Sequence, residues 1–270
     1  MFLEGLNEQE IFFLLNKELG LPLNQLSNLY MYFKAQANQT GYLLEEHLKT
    51  FSPAGFPEKI KKEVEGKCSY GMDLPVWFCN REVKQKKLFL LSMDPMRKAT
   101  KRDTVDFNSP FSLHMNEKNN YNQAILDLSK KYDLFLTDVF KLFFRESHDH
   151  LKLSNQNKDF TELDVHFTLL REETRIFQPD VIICLGKPAL ISLYKIGNLH
   201  TQPRPLNGEL FEYSFKADNR IIPVFAIPHA SNMASKWAKE FLKNNSSPNP
   251  YSPKTYLTEA IQMILDRAIK

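Results

Sequence analysis

Three stretches of the 270-residue chain set chemically active side chains directly after short apolar runs. Asp94-Pro95 follows the run at 87–92, Thr137-Asp138 ends the run at 133–137, and His229 follows the run at 221–227. A carboxylate and an imidazole brought into one cleft suit hydrolysis. The first orients water or stabilises positive charge, and the second meets the negative charge that develops on a leaving group. Each residue alone has an ordinary reading. Asp-Pro is common in the turn after a strand, and a single loop histidine is more often simply satisfied by its neighbours. The chemistry therefore depends on elements that bring the three stretches together.

The pattern supplies such elements. Runs at 87–92, 133–137, 181–185 and 221–227 have the length of buried strands, and most are followed by stretches of helical character. A helix is expected over 161–177, ended by Gln178-Pro179, and another over 188–195 after Gly186. Strands alternating with helices predict an α/β fold, a three-layer α/β/α sandwich around a mainly parallel sheet of about four strands. Residues 208–215 add a candidate edge strand, and 257–269 a closing helix. The first part of the chain reads as helical, over 8–19, 23–37 and 58–65, with Gly20 placed to end the first helix. Residues 1–80 are thus expected to form a helical extension packed on an α/β domain at 81–270. In an open parallel sheet, function gathers at the carboxyl ends of the strands, where Asp94, Asp138 and His229 would lie.

The order of these residues resembles the uracil-DNA glycosylase superfamily over residues 88 to about 239. Asp94-Pro95 is similar to the family's water-activating loop, and Phe111-Ser112 to its Phe-Ser element, whose ring stacks on a flipped base. Thr137-Asp138-Val139-Phe140-Lys141 resembles the Thr-Asn-Val-Val-Lys of the thermophilic branch. The strand 181–185 ends in Leu185-Gly186 as the family's does, and His229-Ala230-Ser231 resembles its His-Pro-Ser loop. The resemblance implies base excision by flipping, which costs a few kcal/mol of unstacking. Asp94 would orient water and His229 would stabilise the departing base. Phe111, Asp138, Thr137, Pro95 and Ser92 would line the base pocket. Ser231, Asn232 and the wedge Met233 would contact DNA, with Arg97 and Lys98 tracking phosphates. Three positions depart from the family: Ser92 stands where it has Gly, Ala230 where it has Pro, and Asp138 where it has Asn. An ionised Asp accepts hydrogen bonds only, whereas Asn matches uracil's carbonyl and N3–H together. Two other classes stay open: an inactive nucleic-acid-binding relative, and a hydrolase of small nucleosides or nucleotides.

Composition bounds the rest. With 43% hydrophobic and 25% charged residues the chain is an ordinary globular one, and no apolar run approaches the ~18 residues of a membrane span. The N-terminus is acidic and lacks the marks of a secretory signal. Three cysteines suit a reduced, cytoplasmic setting and are too few for an iron–sulfur cluster. His148-Asp149-His150 has no further ligand cluster at metal-binding spacing, so no metal or other cofactor is expected. Net charge +3 permits DNA, single- or double-stranded, as the partner, and a monomer is expected. Lys141 reads as a side chain snorkelling at the sheet edge.

Overall fold

The computed structural model describes residues 2–49, 68–79, 85–93, 105–115, 119–146, 164–195, 199–204, 206, 209–229, 235–245, 247 and 249–268. Helices α1 (Glu8–Leu19), α2 (Leu23–Ala37) and the one-turn α3 (Glu46–Lys49) precede strands β1 (Cys68–Asp73) and β2 (Val76–Phe78). Strands β3 (Lys87–Ser92) and β4 (Val105–Asn108) and a 3-10 turn (Pro110–Met115) lead to helix α4 (Asn120–Ser129). Then come β5 (Asp133–Asp138), β6 (Leu142–Glu146), helix α5 (Asp164–Phe177), β7 (Val181–Leu185) and α6 (Lys187–Lys195). Strands β8 (Glu212–Ala217) and β9 (Arg220–Ile227) and helices α7 (Ser235–Asn244) and α8 (Pro253–Ala268) follow.

The four apolar runs pair as parallel strands because each buries both faces over most of its length and has little alternation to offer solvent. The main sheet has the order β2-β5-β3-β7-β9-β8. Its four central strands are parallel, and β2 and β8 flank them antiparallel. The four expected strands form its parallel core, β8 overlaps the edge strand expected over 208–215, and β2 adds a sixth. The added edge on one side is a hairpin with a two-residue loop, Asp218-Asn219, where Asp218 has φ 49°. Asp-Asn tolerates the positive φ that such a tight turn requires. A second sheet, β4-β1-β6, lies in stretches that the apolar pattern does not mark as strands.

Helix α1 starts at Asn7, whose side chain accepts from the Gln9 N–H, and ends at Gly20 in the left-handed region (φ 70°). It packs on α5, and one face of the sheet under these helices is an aromatic stack. Trp77, Phe135 and Phe89 lie nearly parallel, with Phe177 of α5 and Tyr30 of α2 against them. On the other face α4 packs on α8. Helices thus cover both faces, as the alternation of strands and helices predicts, and the N-terminal helices are part of one layer. The helix expected over 58–65 lies outside the described residues. Among those described, no helix is long and apolar enough to cross a membrane.

Candidate active site

The chain moves from β3 to β5 on one side and then to β7 and β9 on the other, so the strand order reverses at β3. Such a switch opens a crevice at the carboxyl ends of the strands. Four neighbouring ends meet there: Asp138 on β5, Ser92 on β3, Gly186 after β7 and His229 after β9. At ~4.8 Å per strand, β5 and β9 stand about 14 Å apart.

The ends are tied to one another. Ser92 and Asp138 are register partners, both buried (7% and 3% exposed). Past them, the Val139 N–H donates to the Ser92 carbonyl and the Phe140 N–H to the Met93 carbonyl. These bonds fix the path by which the chain leaves β3 at Met93, the residue before Asp94 in sequence. Gly186 donates its N–H to the Ile227 carbonyl and has φ 102°, which only glycine adopts without strain. A side chain there would approach the Cβ of His229 at 3.8 Å.

Along β5, side chains alternate between faces. Phe135 faces the aromatic stack under α5, so Thr137 faces the same way and Leu134, Leu136 and Asp138 face α4 and the 3-10 turn. Thr137 was expected beside the base. Its hydroxyl instead donates to Glu173 Oε2 of α5 at 3.0 Å, on the opposite face from Asp138. Lys141, expected to snorkel at the sheet edge, is fully buried. Its ammonium donates to Glu173 Oε2 at 2.9 Å, to the Thr137 hydroxyl and to the Asp138 carbonyl. Glu173 compels this: a carboxylate with no exposure needs a cation beside it, and Lys141 supplies one. Burial still pushes the Glu173 carboxyl above its ordinary value, with Lys141 opposing. The lysine thereby grips the backbone of Asp138 from behind.

On the α4 face, three rings converge. The Phe111 ring centroid lies 6.1 Å from His229, and Tyr121 of α4 lies 5.1 Å from Phe111 and 6.0 Å from His229. Tyr121 Oη is 3.5 Å from His229 Nδ1. Burial lowers the His229 pKa and keeps the ring neutral. Phe111 and Ser112 both sit in the left-handed region, at φ 57° and 54°. Non-glycine residues held there cost about 1–3 kcal/mol each, and such strain clusters at functional sites. The turn is braced by Ser109, whose hydroxyl is 2.8 Å from His114 Nδ1, and by Phe33 of α2, stacked 4.4 Å from the His114 ring.

The structure thus sets Phe111 beside His229, and Ser92 beside Asp138 at the carboxyl ends of neighbouring strands, and it turns Thr137 to the α5 face. Asp94, Pro95, Arg97, Lys98, Ser231, Asn232 and Met233 lie outside the described residues, as do Ala230 and His148 to His150. Sequence reasoning missed Tyr121, Glu173 and His114. Nothing in periodicity distinguishes one helical Tyr or Glu from another; only the partner across the sheet does. No curated protein matches the chain in sequence. A family model, the uracil DNA glycosylase superfamily, matches residues 81–251. That span carries every strand of the crevice together with Phe111 and His229, and it covers well over half the sequence. By both the match and the sheet that carries it, the chain belongs to the uracil DNA glycosylase superfamily.

Proposed function

We propose that the protein is a DNA glycosylase that hydrolyses the N-glycosidic bond of a flipped uracil or other damaged base. The observation that carries this reading is the meeting of the Phe111 ring and the His229 imidazole at the carboxyl edge of the sheet that also carries Ser92 and Asp138. The base stacks on Phe111, offsetting part of the cost of leaving the duplex. The Asp94 carboxylate directs a water onto the sugar C1′ and stabilises its oxocarbenium-like charge. As the C1′–N bond breaks, its electron pair passes to the base, which takes a hydrogen bond from His229. The water oxygen bonds to C1′, and its proton leaves through the carboxylate to the base. Asp138 offers an acceptor to a base N–H, which favours bases presenting a donor at that edge. Arg97, Lys98, Ser231, Asn232 and Met233 hold the DNA.

The test is incubation of the protein with single- and double-stranded DNA carrying uracil, hypoxanthine or another damaged base. An abasic product is expected, and Asp94→Asn abolishes it while DNA affinity persists. A folded protein that makes no abasic site from any of these is not a glycosylase. Asp138, Ser92 and Ala230, all departures from the family pattern, favour a second reading as an inactive DNA-binding relative. Salt-dependent DNA binding without turnover in the same assay selects it.

A further inference from the structure

His229 is held from two directions by tyrosines of the helix pair α4 and α8. Tyr256 of α8 is fully buried, and its hydroxyl donates to the Pro228 carbonyl at 2.7 Å, fixing the peptide that enters His229. Tyr121 of α4 is stacked on Phe111 (5.1 Å, 15° between planes), so its ring cannot turn without breaking that stack. That stack carries its hydroxyl to 3.5 Å from Nδ1 of the imidazole. A neutral imidazole has one N–H and one bare nitrogen, and the partner of one nitrogen decides where the proton sits. A phenol is a better donor than acceptor, so at Nδ1 it leaves the proton on Nε2.

We infer that Tyr121 is a positioning residue that fixes His229 as the Nε2–H tautomer, so that this N–H is aimed at the departing base. The functional part of the inference rests on the glycosylase reading; the tautomer itself does not. At 3.5 Å the separation is long for a hydrogen bond, and on this inference it shortens as a base fills the crevice. The wrong tautomer would turn a lone pair on a base that is becoming negative, and repulsion would replace stabilisation.

The deciding experiment is 15N NMR of the His229 ring in the full chain, assigned with His229→Gln. The wild type shows protonated Nε2 and bare Nδ1. Tyr121→Phe, which keeps the ring on Phe111, yields a mixture of tautomers. On a DNA substrate the same variant lowers kcat at least about tenfold with KM little changed. Tyr256→Phe serves as a control that leaves the tautomer in place. A wild-type ring protonated on Nδ1, or a Tyr121→Phe spectrum identical to wild type, overturns the inference. If the tautomer shifts as expected but no DNA is cleaved, the positioning role stands and the glycosylase reading falls.

Discussion

Two histidines show how one physical effect serves different ends. His229 and His166 are both kept neutral by burial, which penalises the charged ring. His229 sits at the crevice with its ring against Phe111 and Tyr121. His166 of α5 is fully buried against the edge of Phe140, and its Nδ1 lies 3.4 Å from the Lys141 N–H that donates to it. Burial first and nearby Lys141 second lower its pKa to about 3. The sign of the linkage follows. The unfolded chain binds a proton at each histidine as pH falls through 6.5, and the folded chain resists it. Their contribution to stability is therefore complete above pH 6.5 and is lost on acidification, for His166 down to about pH 3. NMR titration should find the His166 ring still neutral at pH 5 and the His229 midpoint below 6.5. A His166 midpoint near 6.5 would show that the ring is open to water.

At the scale of elements, the crevice depends on a charged joint between β5 and α5. Lys141 and Glu173 are both fully buried and 2.9 Å apart, with Thr137 bonded to both. A buried pair contributes little net stability over an apolar isostere, but breaking it strands a charge. Lys141→Met should lower the unfolding free energy by about 3–5 kcal/mol in urea, because Glu173 is left without its cation. The double variant Lys141→Met, Glu173→Leu should recover most of that loss. On the glycosylase reading proposed above, what the double variant should not recover is excision, since the ammonium that holds the Asp138 carbonyl is gone. Full recovery of both would reduce the pair to a packing detail. The same joint explains why Thr137 is absent from the crevice: a strand cannot turn two successive side chains to one face.

Over the whole molecule, the N-terminal helices do more than cover the sheet. Tyr30 stacks near Trp77 and donates its hydroxyl to the Pro75 carbonyl, while Phe33 from the same helix stacks on His114 of the strained 3-10 turn. Helix α2 thus reaches from the core to the turn that presents Phe111. Phe33→Ala should cost about 3–5 kcal/mol of stability, read from urea unfolding, as for other buried aromatics. At temperatures where the variant stays folded, KM for the damaged-base DNA of the proposed reaction should rise several-fold, because the left-handed backbone at Phe111 and Ser112 loses its brace. A loss under about 1 kcal/mol with unchanged KM would mean that the helices only rest on the domain.

How much of this was legible in the chain follows from the range of each interaction. Apolar runs fix strands, and Gly20 in the left-handed region ends α1 as its position implied, because both effects act within a few residues. The places of Asp138 and His229 were readable for the same reason: each lies at or just past the end of a strand whose run marks it. The sequence by itself determined the parallel core, the crevice edge and the family. Tertiary structure alone decided that β2 widens the sheet, that Lys141 is buried with Glu173, that Thr137 faces away, and that Tyr121 reaches His229. These contacts join residues 32 to 108 positions apart, and pairings across such distances are set by which faces pack together, a quantity no local pattern carries.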